Sequence, residues 1–252
     1  MKTIDIPWDA PAGMDEYLQA TRLVNLDAPA VRETATRLVR GTATPRDAAV
    51  KIYNFCRDEI KFGYNHRDAI PASEVLRDGY GQCNTKSVLL VTLLRAAGIP
   101  ARFHLAQVDK AVQWDIMPPL AYRFAPDKVT HTWVEVYLDG HWLVLEGVIM
   151  DKPYFLAARR LLLESGREMG YAIGLPPETL AGCADGDCID WDGTGDVTCQ
   201  MTAVVADFGT AAGAEEFHRQ HSVTGLRSLL YEHHASQEMT ERAARVRHGE
   251  KL

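Results

Sequence analysis

Cys83 stands at the head of an apolar segment in which Val88, Leu89, Leu90, Val91, Leu93, Leu94, Ala96 and Ala97 fall on every side of a helix. That pattern predicts a central, buried helix. Unpaired N–H groups and the helix dipole at such an N-terminus favour an anion, so they favour a thiolate. The backbone N–H of Cys83 is then a candidate oxyanion donor. Gly79 and Gly81 just upstream would let backbone approach a substrate. The competing reading is a small buried hydrophobe, the common state of a free cysteine. Cys56, inside the apolar face made by Ile52, Phe55 and Ile60, is read that way.

A thiol nucleophile needs a base, and the base needs an orienting group. Both are present on one predicted hairpin. His131–Leu138 alternates as a strand, Asp139-Gly140 is a two-residue turn, and His141–Val148 is the return strand. With that turn, Leu138 pairs with His141, Trp133 lies opposite Glu146, and His131 lies opposite Val148. His131, Trp133 and Glu146 then share a face. His131 and Glu146 become diagonal neighbours at roughly 7–8 Å, within reach of a long carboxylate. Val134, Val136, Leu138, Leu143 and Leu145 form the opposite, core-facing side. Trp133 is either a wall of the site or a core residue. An ordinary exposed strand pair is the alternative for His131 and Glu146.

Other elements are placed by their punctuation. Residues 16–40 read as helix, with Pro29 opening a second short one. Thr44-Pro45-Arg46-Asp47 is a helix start, with Thr44 as cap. Lys61–Asn65 reads as an exit loop, and Ala72–Leu76 as a short helix. Gly98 and Pro100 end the buried helix. Ala101–Val108 reads as a strand and 110–128 as a loop. A helix follows Pro153 to about Met169, and Gly174-Leu175-Pro176-Pro177 marks a boundary. Residues 1–174 are assigned to the core with its N-terminal helices. Residues 175–252 are a C-terminal extension with an acidic Gly-rich loop, a strand at 199–205 and a polar helical tail.

These residues together resemble the transglutaminase-like superfamily, whose core has the papain-like order cysteine, histidine, acid. Gly81-Gln82-Cys83 with Leu93-Leu94-Arg95-Ala96-Ala97-Gly98-Ile99-Pro100-Ala101-Arg102 is similar to that family's nucleophile helix and its exit. His131-Thr132-Trp133-Val134-Glu135-Val136-Tyr137 with Asp139-Gly140-His141-Trp142 is similar to its histidine strand and hairpin, and the acid falls at Glu146. Lys51–Tyr64 is similar to the preceding helix and aromatic exit. The resemblance spans about residues 18–150. It implies an α+β, papain-like fold with the nucleophile helix packed on an antiparallel sheet. It also implies a cysteine protease, amidase or acyltransferase acting through a thioester on Cys83. The sequence departs from the family in having Glu146-Gly147 where Asp-Pro is usual, and Asn84 where animal members carry an aromatic residue. Gln82, Tyr64 and Asn65 are candidates for the second oxyanion donor. No metal or organic cofactor is required. The alternatives are a non-catalytic scaffold that binds a peptide or partner protein, and an amide synthase of a biosynthetic pathway.

Composition narrows the partners. Of 252 residues, 46% are hydrophobic and 24% charged, which is globular usage. Lys plus Arg number 27 against 34 Asp plus Glu, a formal charge of -7 that argues against a nucleic-acid partner. The short tail basic patch of Arg242, Arg245, Arg247 and Lys251 is mixed with acids. No run is long enough for a membrane span and the N-terminus lacks a signal-peptide stretch. Five cysteines are too few for a disulfide scaffold. The expectation is therefore a cytoplasmic protein acting on a peptide, protein or small amide. Cys183, Cys188 and Cys199 bracket several aspartates. Asp190-Trp191-Asp192-Gly193 half-matches a calcium loop, but its last ligand position would be Met201. Three thiols alone make an incomplete zinc site, though His218 or His221 could supply a fourth ligand. The loop is read as exposed and acidic. His218, His221, His233 and His234 are read as exposed helical residues.

Overall fold

The computed structural model describes residues 4–197, 203–221 and 234–252. Helices α1 (Pro29–Val39), α2 (Pro45–Asn54), α3 (Ala72–Asp78) and α4 (Cys83–Ala96) precede the main sheet. Strands β1 (Lys61–Phe62) and β2 (Tyr80–Gly81) make a short parallel pair between them. The main sheet is formed by β3 (Ala101–Asp109), β4 (Lys128–Leu138), β5 (His141–Val144) and β6 (Val204–Ala211), in the order β5-β4-β3-β6 with antiparallel neighbours. Helices α5 (Pro119–Phe124), α6 (Lys152–Ser165), α7 (Pro177–Gly182), α8 (Glu215–His221) and α9 (Ser236–Arg247) complete the described chain. The architecture is α+β, with the Cys83 helix packed on an antiparallel sheet.

Helix α4 is central. Val88, Leu89, Leu90, Val91, Leu93 and Leu94 are all completely buried, each worth about 2 kcal/mol of apolar burial. Its far end is fixed by buried Arg95, whose guanidinium donates to the carbonyls of Ala101, Gln19 and Ala212. Burial lowers the Arg95 pKa to about 10 despite nearby Glu215 and Glu16. Gly98 follows with φ +69°, the left-handed stop expected there. At the start of α2, Thr44 accepts from the Asp47 N–H, as the cap pattern predicts.

Several expectations are corrected. Only Asp15–Leu18 forms a single 3-10 turn before α1, so residues 16–28 are not a continuous helix. Leu23 instead exchanges backbone bonds outward, donating to Glu215 and accepting from the Ala72 N–H. The Lys61–Asn65 exit contains β1. Residues 110–128 contain a 3-10 turn at Lys110–Gln113 and helix α5, and β4 begins at Lys128. The return strand stops at Val144. Leu145 bridges to Val197, and Glu146–Val148 turns as a 3-10 segment. Gly147 is needed there, because a Cβ would lie 2.5 Å from Val197 and 2.7 Å from the Tyr53 hydroxyl. The last strand runs Val204–Ala211 rather than 199–205, whose first residues, with Cys199, lie outside the described segments.

The acidic loop is tied down rather than free. Ile189 and Trp191 are buried, Asp190 pairs with Arg57 and Lys152, and Asp196 accepts from the Val144 N–H. Cys183 and Cys188 form a disulfide across this turn, so neither is available as a zinc ligand. The tail is similarly engaged. Arg247 of α9 pairs with completely buried Asp151 at 2.7 Å and donates to the Phe62 carbonyl. Asp151 also accepts from the N–H groups of Phe62 and Tyr154, capping α6. Burial alone would raise the Asp151 pKa, but Arg247 and the Phe62 N–H outweigh it and hold the carboxyl below its usual range. Such a group stabilises the fold above the ordinary carboxylate pKa, and the contribution is lost as pH falls through the depressed value. Arg247→Met leaves a buried carboxylate without its cation, and should cost about 3 kcal/mol at neutral pH. Urea unfolding should show this loss, and should show it shrinking at acidic pH.

Candidate active site

The start of α4 is built by a reciprocal cap. The Gln82 side chain accepts from the Thr85 N–H, and the Thr85 hydroxyl accepts from the Gln82 N–H. The Thr85 hydroxyl also donates to buried Asn65 at 2.6 Å. Gly81 is required by this packing: a Cβ would meet the Thr85 hydroxyl at 2.6 Å and Lys86 Cγ at 3.0 Å. Its role is close packing beneath the cap, rather than room for a substrate. Lys86, one turn beyond Cys83 and completely buried, donates to the carbonyls of Arg57 and Ile60. Burial lowers its pKa to about 7, against the opposing pull of Asp151.

Strand β4 meets this helix on both sides of His131. The Cys83 Sγ lies 3.9 Å from the Thr130 carbonyl, and the Ser87 hydroxyl donates to the Thr132 carbonyl at 3.0 Å. The residues flanking the histidine are therefore the ones that touch α4, and the ring is carried to the thiol. The hairpin register is the one expected, with Leu138 opposite His141 and Glu135 opposite Val144. Asp139 and Gly140 both take positive φ, +50° and +88°. Glu146 then approaches from the 3-10 turn, its Oε1 3.5 Å from His131 Nε2. That is ion-pair distance without hydrogen-bond geometry. His131 is 2% exposed, which opposes its charge, but contacts with Cys83 and Glu146 outweigh burial and raise its pKa to about 9. The two described free thiols differ sharply. Cys56 is completely buried and its thiol is pushed up to about 12, while Cys83 is half-buried and lines a cavity.

That cavity measures about 1060 Å³. Cys83, His131 and Glu146 line it, as do apolar side chains including Val112, Met117 and Phe124. Gln82 and Tyr64 also line it. The Gln82 amide is aimed by three contacts: its Oε1 accepts from the Asn65 N–H, its Nε2 donates to Asp68, and its Oε1 contacts Thr85. The Tyr64 hydroxyl donates to Gln113. Asn65 and Trp133 are not on the cavity wall. Asn65 Nδ2 is committed to Asp78 and the Tyr80 carbonyl, so it has no role as an oxyanion donor. Trp133 packs as an aromatic layer, stacked 4.1 Å from His104 with its ring centroid 5.5 Å from His131.

Residues 32–147 match the family model of the transglutaminase-like superfamily. This segment is similar to the transglutaminase-like core. No curated protein matches the chain. Among solved structures, the chain is similar to "Putative Cysteine Protease from Cytophaga hutchinsonii", at 17% identity and TM-score 0.41, covering 54% of this chain and 42% of that one. It is also similar to "putative protease from Parabacteroides distasonis", at 16% identity and TM-score 0.34, covering 52% of this chain and 24% of that one. The chain thus spans less than half the length of either.

Asp68 and Thr130, polar neighbours of the Cys83 thiol, escape sequence reasoning. Asp68 accepts from Gln82 and Thr130, and Thr130 accepts from Asn84. Only Asn84, next to Cys83, carried any local signal. Among the described residues no group of three or more His, Cys, Asp or Glu is arranged to hold a metal ion. No helix among them is long and apolar enough to cross a membrane.

Glu146→Gln removes one of the two groups that raise His131, so the ring should titrate below about 9. An NMR titration of the His131 ring reads this directly; an unchanged value detaches Glu146 from the histidine. Gly81→Ala should destabilise the fold by about 1–3 kcal/mol, because the cap must shift. Chemical denaturation checks it.

Proposed function

We propose that the chain is a cysteine-dependent enzyme that cleaves or transfers acyl groups at amide or peptide bonds. Cys83 is the nucleophile, His131 the base and then the acid, and Glu146 the group that orients the imidazole. The observation that carries this reading is the raised pKa of a buried histidine held between a thiol and a carboxylate, at one wall of a substrate-sized cavity. The family model over residues 32–147 supports cysteine-dependent chemistry in general.

His131 takes the thiol proton, and the resulting imidazolium and thiolate stabilise one another. The thiolate attacks the carbonyl carbon, and the negative oxygen is received by donors at the head of α4. Cys83 contributes its backbone N–H, one of the first four in the helix that lack an intrahelical partner. The Gln82 amide, aimed by Asp68, is the favoured second donor over Tyr64. Protonated His131 gives its proton to the departing amine as the C–N bond breaks, leaving a thioester. Water or a second amine attacks that thioester, giving hydrolysis or transfer, and the thiolate leaves.

Iodoacetamide labelling across pH tests the nucleophile. Cys83 should react selectively and faster than an ordinary thiol below pH 7, and Cys56 should not. Slow reaction with an ordinary thiol profile favours a non-catalytic scaffold. Once a substrate is in hand, Cys83→Ala should reduce turnover by at least about 10³-fold. Turnover should also fall above pH 9, where His131 loses the proton the leaving amine needs. Mass spectrometry of acylated Cys83, with and without added amines, separates hydrolysis from transfer.

A further inference from the structure

We propose that His218, supplied by α8 from outside the transglutaminase-like core, is a specificity residue of this cavity that recognises an uncharged amide group on the substrate. This rests on Cys83 being the nucleophile of the cavity.

His218 is 1% exposed and lines the same cavity as Cys83 and His131. Neither of its ring nitrogens has a hydrogen-bond partner among the described residues. Sequence pattern predicts an exposed residue here, and the structure makes it a buried one with two idle polar atoms. Buried polar groups are nearly always paired, and an unpaired one is stabilised by whatever supplies the missing bonds. The surroundings define what that is. Burial lowers the His218 pKa, and the opposing pulls of Asp68 and Glu215 do not overcome it; Arg22 and His221 add to the lowering. The ring is therefore neutral, with one nitrogen donating and the other accepting. A secondary or primary amide offers the complementary pair. A substrate anion would face the carboxylates of Asp68 and Glu215. A substrate cation would find both already engaged, Asp68 by Gln82 and Thr130, and Glu215 by the Leu23 N–H.

Asp68 also fixes where this recognition occurs. It influences His218 electrostatically and holds the Gln82 amide beside Cys83. Cys83, Asp68 and His218 line the one cavity, so a substrate whose carbonyl reaches the thiol extends into the space that His218 faces. Its apolar remainder is accommodated by Val112, Met117 and Phe124.

Two chloromethyl ketones of equal length test this, one built on hexanoylglycine and one on an unbroken hydrocarbon chain. Both alkylate a nucleophilic Cys83, and the wild type should prefer the amide-bearing one. That preference should fall about tenfold in His218→Leu and be largely kept in His218→Gln, which retains a donor and an acceptor. Reaction with methyl methanethiosulfonate, which is small and carries no amide, should be unchanged in both variants. An unchanged preference in His218→Leu overturns the proposal. If that variant does not fold, Cys83→Ala is titrated with hexanoylglycinamide while the His218 ring nitrogens are followed by NMR. A shift of those signals supports the proposal, and their indifference at millimolar ligand overturns it. A wild-type Cys83 that reacts no faster than a free thiol with any reagent overturns the nucleophile reading instead, and the NMR titration then judges His218 alone.

Discussion

The placement of one buried helix governs everything else. Helix α4 is apolar on every side, so burial alone does not choose its rotation or its axial position: sliding it by a residue would bury nearly the same surface. Its polar residues make that choice. Thr85, Lys86, Ser87 and Arg95 are all buried, and each finds a specific partner: Asn65 and the Gln82 cap, the carbonyls of Arg57 and Ile60, the carbonyl of Thr132, and the carbonyls of Ala101, Gln19 and Ala212. Leaving any one unpaired would cost about 1–3 kcal/mol. A shifted helix would leave several unpaired at once. Cys83 stands where it does because four buried polar side chains hold the helix in a single register.

The sheet answers to the same constraint. Ser87 and Cys83 reach the backbone of β4 at Thr132 and Thr130. The side chain between them is His131. Glu146 arrives by a different route. The strand ladder would bring it close, but the final approach depends on the break after Val144, the bridge to Val197 and the tight passage at Gly147. Val197 follows the disulfide loop, so the carboxylate is positioned partly by sequence far from the hairpin.

This division explains what could be read in advance. The hairpin register, the Thr44 cap and the buried nature of α4 follow from local signals: an Asp-Gly turn, a capping threonine with proline, and a run of apolar residues closed by Gly98; the meeting of Cys83 with His131 is implied by the family resemblance alone. Features that depend on distant partners were not legible. Residues 19–28 look helical by composition, yet Leu23 spends its backbone groups on Glu215 and Ala72. His218 sits in a polar stretch whose periodicity gives no hint that a cavity wall needs it. Asp68 lies in a loop, and only the folded chain brings it against Gln82 and Thr130. Asn65 reads as a candidate donor in the sequence, but its amide is satisfied by Asp78 and the Tyr80 carbonyl, partners that only the folded chain supplies.

The ion pair between Asp151 and Arg247 joins residues 96 positions apart. A ribosome makes the carboxylate well before the guanidinium that neutralises it. During that interval the α6 cap and the Phe62 contact rest on a charge without its counterpart. The Arg247 guanidinium reaches Asp151 only once α9 has emerged and docked. Emergence of α9, rather than formation of the thiol-bearing helix, is the event that brings the counter-charge to this part of the fold.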